Sequence, residues 1–137
     1  DPLQIRIVLT NLVQNALEAT RPAGGEVIVR VSRRSSPNPF PTFFTVAPAG
    51  DYVTIEVRDS GPGIDSQRLV HIFEPFSQST SGGEGRHTGR GLGLAVVYRI
   101  AQNHNGYLEA ESEPGLGTRI SILLPASSPP PTNQASQ

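Results

Sequence analysis

The hydrophobic period of this chain first changes near residue 25. Ile5, Leu9, Leu12, Val13, Ala16 and Leu17 recur at helical spacing, whereas Val27, Val29 and Val31 alternate with Ile28, Arg30 and Ser32. A period of 3.6 puts a stripe on a helix, and a period of two puts one face on a strand. A helix over 2–20 is therefore followed by a strand from 27, and the fold must set helix against sheet. Asp1 can cap the helix, and Pro2 sits where proline is tolerated. Pro22 and the Gly24–Gly25 pair stop it.

The same reading continues along the chain. Val53, Ile55 and Val57 predict a second strand, ending at Asp59. Residues 66–73 suit a short helix with Leu69, Ile72 and Phe73 inward. A helix over 92–102 turns Leu94, Val97, Ile100 and Ala101 inward. Strands at 107–112 and 118–124 are joined by a turn at Pro114-Gly115-Leu116-Gly117. The order predicts an α+β fold, with helices packed on a mostly antiparallel sheet.

Gly (14) and Pro (13) are frequent and unevenly spread. Residues 33–50, RRSSPNPFPTFFTVAPAG, carry prolines that oppose helix and most strand pairing, so a long, partly extended loop insert is expected there. Residues 77–91, SQSTSGGEGRHTGRG, offer little to bury and read as a mobile loop. The tail 126–137 is expected to be disordered.

With no cysteine, disulfides, thiolate-bound metals and thiol nucleophiles are excluded. A net charge of −1 with mixed signs gives no support to nucleic-acid binding. No apolar run approaches the roughly 18 residues of a membrane span. No signal peptide opens the chain, and there is no methionine even at position 1, so an excerpt of a longer protein is expected.

Four constellations could carry chemistry. Asn11 and Asn15 lie one turn apart on a helix face and could offer amide oxygens to a hard cation, or simply be surface or capping amides. Asp59-Ser60-Gly61-Pro62-Gly63-Ile64 sets a carboxylate at a strand end beside a tight turn. It suits hydrogen bonding to an exocyclic amine, or an ordinary turn with Asp59 as a local cap. Gly89-Arg90-Gly91-Leu92-Gly93-Leu94 runs into a helix N-terminus, where free N–H groups and the helix dipole suit phosphate. It matches neither the P-loop nor the dinucleotide fingerprint. Ile72-Phe73-Glu74-Pro75-Phe76 could anchor one end of a lid, or only pack the core.

In that order and spacing the four motifs resemble the N, G1, F and G2 boxes of the catalytic, ATP-binding domain of two-component sensor histidine kinases. These belong to the superfamily that includes gyrase, Hsp90 and MutL. The resemblance covers about residues 1–125, and the N and G2 segments are most similar to nitrogen-regulator-type and hybrid kinases. It implies a two-layer α/β sandwich of the Bergerat or GHKL type, with helices on one face of a mixed, mostly antiparallel sheet. The strand that usually precedes the first helix is missing.

The resemblance also implies roles. ATP and Mg²⁺ are the expected ligands, with Asn15 on the metal. Asp59 would bind the adenine amino group, supported by a water and Thr118. Gly61 and Gly63 would let the base lie against the backbone. Gly89, Gly91 and Gly93 would meet the phosphates, and residues 77–88 would form the ATP lid. Ile64, Phe76, Thr88, Arg90, Leu92 and Leu94 complete the expected nucleotide site. Glu18 and Ala19 stand where many members carry Lys or Arg and then Tyr, so Arg86 is expected to supply the phosphate-facing cation, with Arg90 and His87 next.

Water-cleaving members are known for a glutamate four residues before the metal asparagine, a general base. Here that residue is Asn11, which cannot take a proton. The γ-phosphoryl is then left for an imidazole nitrogen. Asn11, Asn15 and Arg86 are the expected catalytic set. His71, His87 and His104 lie inside the nucleotide domain, so the acceptor histidine is expected on a separate upstream dimerisation hairpin. A response-regulator receiver domain would act downstream, and the domain would be cytoplasmic. The alternatives are a nucleotide-binding regulatory module or a GHKL-type ATPase.

Overall fold

The computed structural model describes residues 2–21, 24–75 and 93–126. The expected lid (77–88), Asp1, Pro22 and residues 127–137 of the expected tail lie outside them.

Helix α1 spans Pro2–Thr20. Strand β1 (Val27–Ser36) is followed by two short strands, β2 (Phe40–Pro41) and β3 (Val46–Ala47), and then by β4 (Gly50–Asp59). The short helix α2 covers Ser66–Leu69, α3 covers Gly93–Asn103, and β5 (Tyr107–Glu113) and β6 (Gly117–Pro125) close the fold. The main sheet has the order β1-β4-β6-β5. Each of its ladders is antiparallel. The α+β class and the helix-on-sheet packing match the expectation. No parallel ladder, as a mixed sheet would require, occurs among the described residues.

The ladder register sorts the sheet residues by face. Ile55 and Val57 on β4 oppose Ile122 and Ile120 on β6, and Leu108 opposes Ile122 from β5. These residues share one buried cluster with Val8, Leu12 and Ala16 of α1 and Leu94, Val97 and Ile100 of α3. Both helices therefore lie on the same face. The opposite face is apolar at one end, where Tyr52 and Leu123 pack with Phe40 and Ala47, and charged beyond it: Arg119 lies 3.0 Å from Glu111, 3.6 Å from Glu56 and 3.8 Å from Glu109. These ion pairs cross between strands, so the uncovered face is polar where no layer packs on it.

Three expectations need correction. The loop insert does not begin at Arg33. Arg33–Ser36 continue β1 and pair with Val53, Tyr52, Asp51 and Gly50. Pro37 cannot donate to a ladder, but the residues before it are free to be extended. The rest of the insert forms a strap over the end of the sheet. Thr42 N–H donates to Thr45 O, and Phe43 N–H donates to Leu108 O on the outer strand β5, both at 2.7 Å. Phe40 buries itself edge-on against Tyr52, 5.5 Å between centroids, with the Arg34 guanidinium 4.3 Å above its ring. Phe43 and Phe44 reach the helix side, with ring centroids 5.0 Å from Phe73 and 4.7 Å from Tyr98 respectively. The strap thus blunts an edge that would otherwise present unpaired backbone groups.

Second, the helix expected over 66–73 is one turn long. Asp65 caps it, with Oδ1 accepting from Arg68 N–H at 2.9 Å. Ile72 and Phe73 are buried from a following series of turns. Third, Ala126 does not belong to the expected tail, because its N–H donates to Asp51 O at 2.9 Å and extends the pairing of β4 with β6.

Candidate functional site

Asp59 ends β4, and its side chain points to the helix face in register with Thr118 of β6. It is 5 % exposed. The Gly61 N–H donates to Asp59 Oδ1 at 2.8 Å, and the Thr118 N–H also bonds this carboxyl. Burial raises the Asp59 pKa above its ordinary value, and these two N–H groups oppose the shift without cancelling it. The carboxyl is thus held at the end of the strand by backbone N–H groups from two elements.

The turn after Asp59 is packed so tightly that side chains cannot enter it. A Cβ on Gly61 would lie 2.8 Å from Ala19 O and 3.0 Å from Asp59 Oδ1. Gly63 has φ +81°, and a Cβ there would strike the Glu113 carbonyl. Hydrogen bonds hold the turn from both sides. Ser60 N–H donates to Glu26 O at 3.1 Å. Glu26 N–H in turn donates to Ser60 Oγ at 2.8 Å. Gly115 N–H donates to Pro62 O at 2.7 Å, tying the turn to the β5–β6 corner. Ile64 is half-buried, and its N–H donates to Ser112 Oγ at 2.7 Å. A cavity of about 310 Å³ opens at this end of the sheet, lined by Asp59, Ser112 and Thr118 and also by Arg58, Arg119, Glu111 and Glu113 of the charged side.

Asn11 and Asn15 are half-buried on α1, with Asn15 one turn nearer the Gly61 turn. A Cβ on Gly93, the first residue of α3, would lie 3.6 Å from Asn11 Oδ1. The helix bearing the two asparagines therefore abuts the start of the helix that ends the glycine-rich run. Among the described residues no group of His, Asp and Glu could hold a metal ion. The Asn15 amide oxygen is a hard neutral donor of the kind that suits Mg²⁺ beside an anionic ligand.

Leu94 is buried in the core at 2 % exposure and holds α3 in place. Thr118 is buried beside Asp59. Phe76, Arg86, His87, Thr88, Gly89, Arg90, Gly91 and Leu92 lie outside the described residues. Glu18 faces Arg21 at 3.6 Å. His71 Nδ1 lies 2.7 Å from Glu74 Oε2 on the surface, and His104 Nε2 lies 2.6 Å from Gln4 Oε1, clasping the end of α3 to the start of α1. Sequence reasoning missed Ser112 and Glu26, and quoted Ser60 in the turn motif without giving it a role. Only Ser112 left a signal: the hairpin register puts it opposite Thr118.

Residues 1–128 match the family of histidine kinase-, DNA gyrase B- and HSP90-like ATPases. The chain belongs to this family. Among relatives of this ATPase family, the chain is 31% identical over 125 residues to the sensor histidine kinase RcsC of Escherichia coli K12, covering 91% of the chain and 11% of the relative. It is 37% identical over 122 residues to the sensor kinase CckA of Brucella abortus, covering 89% and 12%. It is 39% identical over 140 residues to the sensor protein TorS of Escherichia coli K12, covering 98% and 13%. The chain thus spans 11–13% of the length of these curated relatives. Full-length ShkA, solved in complex with AMPPNP, superposes with a TM-score of 0.65 at 29% identity, over 89% of this chain and 21% of ShkA. The mycobacterial sensor histidine kinase MprB gives 0.65 at 28% identity, over 91% and 74%. No helix among the described residues of this family member is long and apolar enough to cross a membrane.

Proposed function

We propose that this chain is the ATP- and Mg²⁺-binding catalytic domain of a sensor histidine kinase, and that it delivers the γ-phosphoryl of ATP to a histidine on a separate dimerisation hairpin. The observation that carries this is the Asp59 corner. A buried carboxylate, held by the N–H groups of Gly61 and Thr118, faces a turn whose glycines admit no side chain. Such a corner accepts from the exocyclic amine of adenine while the flat base lies on bare backbone.

The residues present fit the remaining parts. The Asn15 amide oxygen is the metal donor, and Mg²⁺ supplies neutralising charge to the triphosphate oxygens. Asn11, one turn before it, has no basic lone pair with which to activate water. The chain therefore holds the triphosphate without cleaving it quickly and leaves the phosphoryl group to a better nucleophile. Asn11 faces the start of α3, which supports a role for it beside the phosphates. The lid cation is Arg86, flanked by Gly89, Gly91 and Gly93 as phosphate-binding backbone. The acceptor hairpin lies upstream in the longer protein, a receiver domain takes the phosphoryl group downstream, and the domain works in the cytoplasm.

The decisive experiment combines two measurements on the chain. Calorimetric titration with ATP in Mg²⁺ should show binding that Asp59→Asn removes or weakens. Incubation with γ-labelled ATP and an excess of an acceptor hairpin should label the hairpin histidine. Absence of nucleotide binding, or failure to label any hairpin at high concentration, would overturn the reading.

A further inference from the structure

Three polar groups converge on the one hydroxyl of Ser112. The Ile64 N–H lies 2.7 Å from Ser112 Oγ. The Gly117 carbonyl lies at 3.0 Å, and Thr118 Oγ1 lies at 2.8 Å. A backbone N–H only donates and a carbonyl only accepts, whereas a hydroxyl has one proton and two lone pairs. One arrangement satisfies all three contacts. Ser112 gives its proton to the Gly117 carbonyl and takes protons from Ile64 N–H and from the Thr118 hydroxyl.

We propose that Ser112 is a positioning residue for base recognition: by taking the Thr118 proton it leaves Thr118 Oγ1 an acceptor beside Asp59, so that the corner selects an amino purine over a 6-oxo purine. The assignment rests on the nucleotide-binding reading above and adds the source of its base selectivity. Thr118 and Asp59 are ladder partners, and both end on the helix face of the sheet. An ionised Asp59 only accepts, and Thr118 with its proton committed to Ser112 also only accepts. Two acceptors side by side welcome an exocyclic amine or a donating water. They leave a 6-oxo group facing lone pairs with no donor, which costs the full desolvation of that oxygen. Ser112 also holds the Ile64 N–H, so the same side chain fixes the end of the glycine turn against β5.

Loss of the Ser112 hydroxyl frees the Thr118 proton to turn toward the ligand. The test is calorimetric titration of the chain with ATP and with inosine triphosphate, which carries a 6-oxo group where adenine carries its amine, at fixed Mg²⁺. In Ser112→Ala the ATP dissociation constant should rise roughly tenfold and that of inosine triphosphate far less, so that their ratio narrows by about tenfold. Ser112→Thr keeps the hydroxyl and should restore the wild-type ratio. A side chain that merely stabilises the corner would weaken both ligands equally, so an unchanged ratio overturns the assignment. If Ser112→Ala does not fold, Ser112→Cys, similar in size but a poor acceptor, is read in the same way. Wild-type protein that binds ATP but does not prefer it to inosine triphosphate overturns the assignment alone. Wild-type protein that binds neither overturns the functional reading and the assignment with it.

Discussion

The amide oxygen of Asn11 faces the bare backbone of Gly93, close enough that a Cβ at Gly93 would sit 3.6 Å from it. This is ordinary van der Waals distance, and Gly93 does not adopt a left-handed conformation. Gly93→Ala should therefore change stability by no more than about 0.5 kcal/mol in urea unfolding. The glycine is required at this point only if something other than Asn11, such as a phosphate, must approach its N–H.

Gly63 makes the opposite case. Its φ of +81° disfavours any side chain, and its Cβ position is occupied by the Glu113 carbonyl, which is backbone and cannot rotate away. Gly63→Ala should cost more than about 3 kcal/mol, combining left-handed strain with displacement of the β5–β6 corner. Gly115 has φ +87° but nothing within 4 Å of its Cβ position. Gly115→Ala should pay only the strain, about 1–2 kcal/mol. Equal losses in urea unfolding would mean that the Gly61–Gly63 turn is not seated on β5.

Asp59 predicts a pH dependence of known sign. Burial raises its folded pKa above the ordinary 3.8, against the two N–H bonds that lower it. The folded protein then keeps a proton that the unfolded chain has lost, so this group's contribution to stability is full below about pH 4 and falls as pH rises through the folded value. Asp59→Asn cannot titrate and should lack that fall. Without nucleotide the variant should be at least as stable as wild type at neutral pH. Its ATP affinity should drop by roughly ten- to a hundredfold, because a charge-assisted hydrogen bond is lost. Urea unfolding between pH 4 and 8, paired with ATP titration, measures both arms.

The parts of this fold that were legible in the sequence are those where one local signal dominates. Helix α1 spans Pro2–Thr20, as its long amphipathic stripe predicts. The strands flanking the Gly115 turn also fall where alternation places them, within a residue. Arg33–Ser36 were not legible because their pairing is nonlocal. They read as part of a proline-rich loop until Ser35 Oγ is seen donating to Asp51 Oδ1 at 2.6 Å across the ladder. The valines of β1 alternate correctly, yet Val31 is 64% exposed, because neither helix reaches the edge strand there. Motif spacing singled out Asp59, Gly61 and Gly63, and the family resemblance added Thr118; the fold brings these residues to one corner. Neither gave a role to Glu26, whose backbone N–H and carbonyl meet the Ser60 hydroxyl and N–H in bonds that any residue at position 26 could make.

The strap should matter for stability and not for the nucleotide. Phe40 is buried against Tyr52 at the end of the sheet remote from Asp59, and the residues of β4 between Tyr52 and Asp59 span roughly 23 Å at about 3.3 Å each. Phe40→Ala should destabilise the chain by about 3 kcal/mol, the low end for a buried aromatic. ATP affinity, titrated where the variant is still folded, should stay within twofold of wild type. A large loss of affinity would show that the strap reaches the site through Phe43 and Phe73.

The sharpest chemical prediction concerns Asn11. Asn11→Glu places a carboxylate one helical turn before Asn15, on the side of α1 that abuts the start of α3. A positioned general base typically contributes about 10²–10⁴-fold to a rate. Phosphate release by the chain alone should therefore rise by at least about tenfold over a slow wild-type rate. Labelling of an added acceptor hairpin should fall, because water now competes with the imidazole for the same phosphoryl group. Stability should change little, since the residue is half-buried and not in the core. An unchanged hydrolysis rate, with ATP affinity intact, would mean that position 11 does not reach the attacking water. The preference for histidine would then have to arise from the lid or from the acceptor, and not from the missing base on α1.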